Sequence, residues 1–111
     1  MSADDIYKRI ITASAEAHGV GVSDIMGPYR TRPVARARQV AMVVALRKVP
    51  HASQSSVARH FVRDHTTVHH AVKAVSERAN ACPSTASIVG IVEGAADYGL
   101  QLWAAPERDG V

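Results

Sequence analysis

The chain has 111 residues, 47% hydrophobic and only 5% aromatic, enough for one compact core built from Val, Ile, Ala and Leu rather than rings. Its single cysteine, Cys82, excludes an intrachain disulfide and a cysteine-based metal site, and its longest apolar run, Val40 to Leu46, is too short to span a bilayer. The net charge of +3 hides an asymmetry that points to a polyanionic partner: from Tyr29 to Asn80 ten basic residues meet two acids, a centre of +8, while the remainder carries −5.

The N-terminal Met1-Ser2-Ala3-Asp4-Asp5 is polar and has no apolar core of a secretory signal, so the expected location is the cytoplasm, at the nucleoid, away from membranes. Asp4 to Ala17 reads as a helix, with Ile6, Ile10, Ile11 and Ala17 at helical spacing and two acids at its positive end. Gly19 and Gly21 stop it, and Ser23 is expected to cap a short turn, Asp24 to Met26. Residues 27–32 form a basic loop. Pro33 suits a first helical position, and Val34 to Arg47 carries the broad apolar face of a central helix that Pro50 ends. Ser53 caps a short helix through His60. After a tight turn, Asp64 caps a longer helix, His65 to Ala79. Val68, Ala71, Val72, Val75 and Ala79 share one stripe of it, while Thr66, His69, His70 and Lys73 point the other way. Two helices, a short turn and a polar outer face make a helix-turn-helix. Thr85 to Trp103 is a last apolar segment weakened by Gly90, Gly94 and Gly99, which fits a helix packed on the domain or a surface for a partner.

The run Arg63-Asp64-His65-Thr66-Thr67-Val68-His69-His70-Ala71 carries the chemistry. Short hydrogen-bonding side chains at a helix start suit the base edges of a major groove. Asp64 can accept from a cytosine amino group, His65 can donate to thymine or guanine, and Thr66 offers a hydroxyl and a methyl. Thr67 lies where helix N-termini hold phosphate. Arg30 and Arg32 sit in a loop that can reach a narrow minor groove, and Arg38, Gln39, Arg47 and Lys48 are placed to touch phosphates. His65 and His69 have a spacing that can chelate zinc. No metalloprotease glutamate follows, and no third ligand is evident, so no metal or other cofactor is expected. No phosphate-cradling glycine loop and no nucleophile–base pattern occurs, so the expectation is a binding protein and not an enzyme.

Three pieces of this sequence resemble the C-terminal DNA-binding domain of the bacterial replication initiator DnaA. They are the basic loop and helix start from Arg30 to Met42, the helix from Ser53 to Phe61, and the Arg63–Val68 run with His70-Ala71. The resemblance spans Ile6 to Ala79. It implies that Asp64, His65 and Thr66 read bases, that Arg30 enters the minor groove, and that Arg32, Arg38, Gln39, Thr67 and His70 hold phosphates or sugars. There are departures. His69 stands where that family usually has a leucine touching a base, which makes His69 a further base-reading candidate. Phe61-Val62-Arg63 lacks the usual glycines. Near Leu46 the usual lysine is missing, with Arg47 adjacent. Arg63 and Lys73 complete the expected phosphate contacts.

The expected fold is all-α, a helix-turn-helix domain over residues 1–80 with a C-terminal helix and tail over 81–111. The expected function is sequence-specific binding of double-stranded DNA, marking promoter boxes as a transcriptional regulator. The alternatives are a replication initiator or accessory at initiator boxes, and a protein-interaction module. The C-terminal segment would meet RNA polymerase or a further domain.

Overall fold

The first helix starts at a reciprocal cap. Ser2 Oγ accepts the Asp5 N–H at 3.4 Å, and Asp5 Oδ2 accepts the Ser2 N–H at 3.0 Å. Helix α1 then runs Ala3–His18 and ends at Gly19, whose φ of 68° lets the chain turn back with its N–H on helix carbonyls. Helix α2 spans Val22–Met26. The expected cap at Ser23 is corrected here. Gly21 is the N-cap and Asp24 reaches back to its N–H at 3.0 Å, which places Ser23 inside the helix. In this computed structural model residues 2–104 are described, with side chains through Tyr98. The apolar positions Leu100, Leu102 and Trp103, the glycine at 99 and the tail expected from Pro106 lie outside the described side chains or residues.

Helix α3, Arg32–Lys48, takes Pro33 in its first turn and is enclosed nearly all round. From Ala37 to Ala45 every side chain except Gln39 is buried, the mark of a helix with neighbours on every side. Helix α1 supplies Ile6, Ile10 and Ile11 to the shared core. Ser14 in the same helix satisfies its buried hydroxyl by donating to the Ala37 carbonyl at 2.7 Å. Helix α4, Gln54–Phe61, is capped by Ser53, with Ser56 returning the bond. Helix α5, His65–Ala81, packs on α3 and α4, and α6, Pro83–Ala104, packs on α1, α3 and α5. Val89, Val92 and Ala96 of α6 join the same core, while Gly90 and Gly94 face open space. Apolar burial on one side of α6 offsets what its glycines cost in helix propensity. No helix among the described residues is long and apolar enough to cross a membrane.

An aromatic stack pins α4 to α1. The Tyr7 and His60 rings lie parallel with centroids 3.7 Å apart, and Phe61 meets both edge-on. Burial pulls the His60 pKa below its ordinary 6.5, with Asp4 acting weakly the other way. The folded state therefore favours the neutral ring. That contribution to stability is fully present above pH 6.5 and is lost as the pH falls through the depressed value. Urea unfolding of the chain should show stability falling between neutral and mildly acidic pH, and His60→Phe should flatten that fall. An identical pH profile for the variant would mean that the stack carries no proton linkage.

The turn between α4 and α5 is made without glycine. Val62 adopts φ 55°, ψ 52° and stands 78% exposed. A left-handed conformation costs an ordinary L-residue about 1–2 kcal/mol. Glycine removes that strain and returns roughly 0.5–1 kcal/mol through its looser unfolded chain. Val62→Gly should therefore raise the unfolding free energy by about 0.5–1 kcal/mol, read as a higher urea midpoint at constant slope. A lower midpoint would show that this valine is not strained.

Candidate nucleic-acid interface

Helix α5 divides its residues cleanly. Val68, Ala71 and Val75 are buried against α3 and α4, and His65, Thr66, His69, His70 and Lys73 are exposed. Asp64 occupies the N-cap position and its carbonyl accepts the Thr67 N–H at 3.0 Å, but its carboxylate makes no capping bond. The expectation of a side-chain cap is corrected on that point. Asp64 holds the backbone turn with its carbonyl and turns an unengaged, exposed carboxylate outward beside His65 and Thr66.

The basic loop lies alongside this helix start. Arg30, Arg38, Gln39, Arg63, Thr67 and His70 line one concavity of about 360 Å³. Arg30, Arg63, Asp64 and Thr67, with Arg59 and Val62, line a wider one next to it. The two share Arg30, Arg63 and Thr67, so loop and recognition helix border one continuous cationic groove. Arg32 is exposed at the start of α3, and Lys73 is exposed two turns along α5.

Three of the expected phosphate contacts, Arg38, Arg47 and Lys48, are placed differently. Arg38 is only 7% exposed and its guanidinium faces inward. Its Nε donates to the Ile25 carbonyl at 2.7 Å, and its Nη2 donates toward the carbonyls of Asp24, Gly27 and Tyr29 at 2.9–3.1 Å. These carbonyls sit at the end of α2 and in the following loop; the Asp24 carbonyl also accepts the Gly27 N–H at 3.3 Å, while those of Ile25, Gly27 and Tyr29 lie past the reach of the helix's own N–H groups. Arg38 thus shapes the arm that carries Arg30. Arg47 lies in the last turn of α3 and pairs with Glu93 of α6 at 3.4 Å, while its neighbour Lys48 pairs with Asp97 at 3.0 Å. Both charges are drawn to the acidic helix and away from the groove.

Arg63, expected on phosphate, also frames. Its Nη2 donates to the Gly27 carbonyl at 2.7 Å and its Nη1 to the Phe61 carbonyl at 2.9 Å. Burial, then the charges of Arg63 and Arg30, pull Arg38 below the usual arginine pKa. Three cations gathered this closely make a strongly positive spot that an anion would relieve. The sequence reading missed Arg78, whose Nη1 donates to Gln39 Oε1 at 2.9 Å. A signal was present, since Arg78 follows Val75 by three on the buried side of α5. Among the described residues no three His, Cys, Asp or Glu side chains gather as a metal site would need.

A helix-turn-helix whose second helix starts with exposed polar side chains beside an arginine-bearing loop is a DNA-binding domain. Residues 7–75 match the family described as the bacterial dnaA protein helix-turn-helix, and the chain belongs to that family. The chromosomal replication initiator protein DnaA of Cereibacter sphaeroides is 41% identical over 63 residues, 57% of this chain and 14% of that protein. The DnaA of Aquifex aeolicus is 37% identical over 86 residues, 77% of this chain and 21% of that protein. A crystal structure described as a DNA replication initiation factor superposes with a TM-score of 0.70 at 36% identity, over 85% of this chain and 29% of that one. The chain thus spans about a fifth or less of these DnaA proteins.

Arg38→Lys tests the framing role. A single ammonium cannot reproduce the fork that meets these carbonyls, so the unfolding free energy should fall by about 2 kcal/mol, measured by urea denaturation. An unchanged midpoint would mean that the loop holds its shape without the guanidinium.

Proposed function

We propose that the chain binds a short duplex box sequence-specifically, as the DNA-reading module of an initiator-type system, and that it does so without catalysis. The observation that carries this reading is the outward set Asp64, His65, Thr66 and His69 on one end of α5, held beside the Arg30 loop. Donors and acceptors at a helix start read base edges in the major groove, while an arginine arm reads the narrow minor groove next to it. Arg32, Arg63, Thr67, His70 and Lys73 supply the phosphate contacts that fix the register. The relatives are replication initiators, which favours initiator boxes over the promoter boxes expected from the sequence. Neither a transcriptional role nor a polymerase contact through α6 draws on an observation of its own.

The test begins with selection of bound oligonucleotides, followed by titration of the recovered box and of a random duplex. His65→Ala and Thr66→Ala should each cost roughly 1–3 kcal/mol on the box and less on the random duplex. Arg30→Ala should relax preference for A·T pairs beside the box. With about four phosphates neutralised, log K should fall against log salt with a slope of about −3.6. Equal losses on both duplexes for the α5 variants would show that the helix does not read bases. In cells, disrupting the Arg63–Ala71 segment should shift copy number or replication timing at the bound sites. Altered transcription at unchanged copy number would instead restore the promoter reading.

A further inference from the structure

Arg78 and Gln39 form a cross-helix pair that the DNA contacts named above do not explain. Arg78 lies near the end of α5 and Gln39 in the first half of α3, and both side chains are half-buried. Among the described residues, no carboxylate lies within ion-pair distance of Arg78. Its visible partner is the Gln39 amide oxygen, 2.9 Å from Nη1. Burial, and then the neighbouring cation Arg36, lower the Arg78 pKa, so this position is not electrostatically comfortable. A half-buried arginine without a counter-ion, set near a second arginine, calls for a reason.

Donor chemistry supplies one. A guanidinium has only N–H donors, so the amide must turn its oxygen toward Arg78. A glutamine that commits its oxygen on one side has its –NH2 for the other. Gln39 also lines the concavity shared by Arg30, Arg63, Thr67 and His70. What it brings to that concavity is therefore a pair of donors, which is what a phosphate accepts.

We infer that Arg78 is a positioning residue for DNA binding, locking the Gln39 amide so that its N–H donors face the backbone phosphate received beside Thr67 and His70. The inference rests on the proposed reading of that concavity as DNA-facing. Without Arg78 the amide is at liberty to rotate by half a turn and present its oxygen to the phosphate, which repels it. Arg78 acts at one remove, through the orientation of a neutral side chain on another helix.

The experiment is a mutant cycle on the full chain, read by titration of the selected box and of a random duplex. Arg78→Met should weaken both by about tenfold, the size of one hydrogen bond to a charged acceptor, with equal losses because a phosphate carries no sequence. In a Gln39→Ala background, Arg78→Met should cause no further loss. Arg78→Lys keeps a donor for the amide oxygen and should recover most of the affinity, and it carries the test should Arg78→Met fail to fold. The salt slope should stay unchanged. A slope reduced by about 0.9 would make Arg78 itself a phosphate ligand, and additive losses in the double variant would make it independent of Gln39; either overturns the inference. If Gln39→Ala binds normally while His65→Ala does not, the inference falls and the DNA-binding reading stands. If neither variant loses affinity, both fall.

Discussion

The Gly27 carbonyl, shared by two arginines, is the joint on which the rest of the site depends. Arg38 reaches it from α3 at 2.9 Å and Arg63 reaches it from the helix-turn-helix at 2.7 Å. Arg38 at the same time gathers the carbonyls of Asp24, Ile25 and Tyr29. A loop of five residues, 27–31, with a glycine and a proline has little backbone bonding of its own. Its carbonyls would be costly to bury unmet. The two guanidinium forks meet them and in doing so fix where the Arg30 arm starts relative to the first turn of α5. The Arg30 arm and the first turn of α5 are therefore registered to one another through backbone oxygen, not through packing of their own side chains.

This arrangement sets charge against solvation. Arg30, Arg38 and Arg63 crowd one another, and the pKa of Arg38 is lowered by its burial and by the other two charges. Carbonyl dipoles stabilise a buried guanidinium, but they do not cancel its charge, so the field emerges into the groove. A nearby phosphate would lower the energy of all three cations at once. Asp64 is the acid in the lining of this groove, while Glu93 and Asp97 on α6 hold Arg47 and Lys48 at the other end of α3. The positive centre visible in the sequence is thereby narrowed to one face in the structure.

Much of the fold was legible because it rests on local rules. Gly19, Pro33, Ser53 and the Val68–Ala71–Val75 stripe mark their elements through caps, backbone freedom and helical spacing, whereas the Ser2 cap of α1 was not read. The exposure of Thr66, His69, His70 and Lys73 follows from the same spacing. Arg38 and Arg78 were harder to read. A periodic pattern assigns charged residues to the outside, whereas these two lie on inward-facing positions because distant backbone or amide oxygens meet them. Helical spacing from Val75 can turn Arg78 inward, but Gln39 lies 39 residues away and nothing local names it as the partner. Ser23 was misassigned because Asp24 competes for the same cap from the third position of the helix.

Val62 shows how a departure from a family pattern can leave geometry intact. The turn needs a left-handed residue, and the chain supplies one at a cost in strain where glycine would take the conformation freely. Beyond that turn, the exposed polar side chains at the start of α5 are those the fold does not use. Asp64, His65 and Thr66 make no side-chain hydrogen bond among the described residues, and His69 only leans on His70. The framing arginines, by contrast, are tied to carbonyls on three segments. The framing contacts and the outward-facing polar side chains thus reside in separate residues on adjoining surfaces. A histidine can stand at position 69 without disturbing the core, because that site faces outward and nothing inside the domain leans on it. The exposed chemistry at the first two turns of α5 can accordingly vary without disturbing the buried arginine joint behind it.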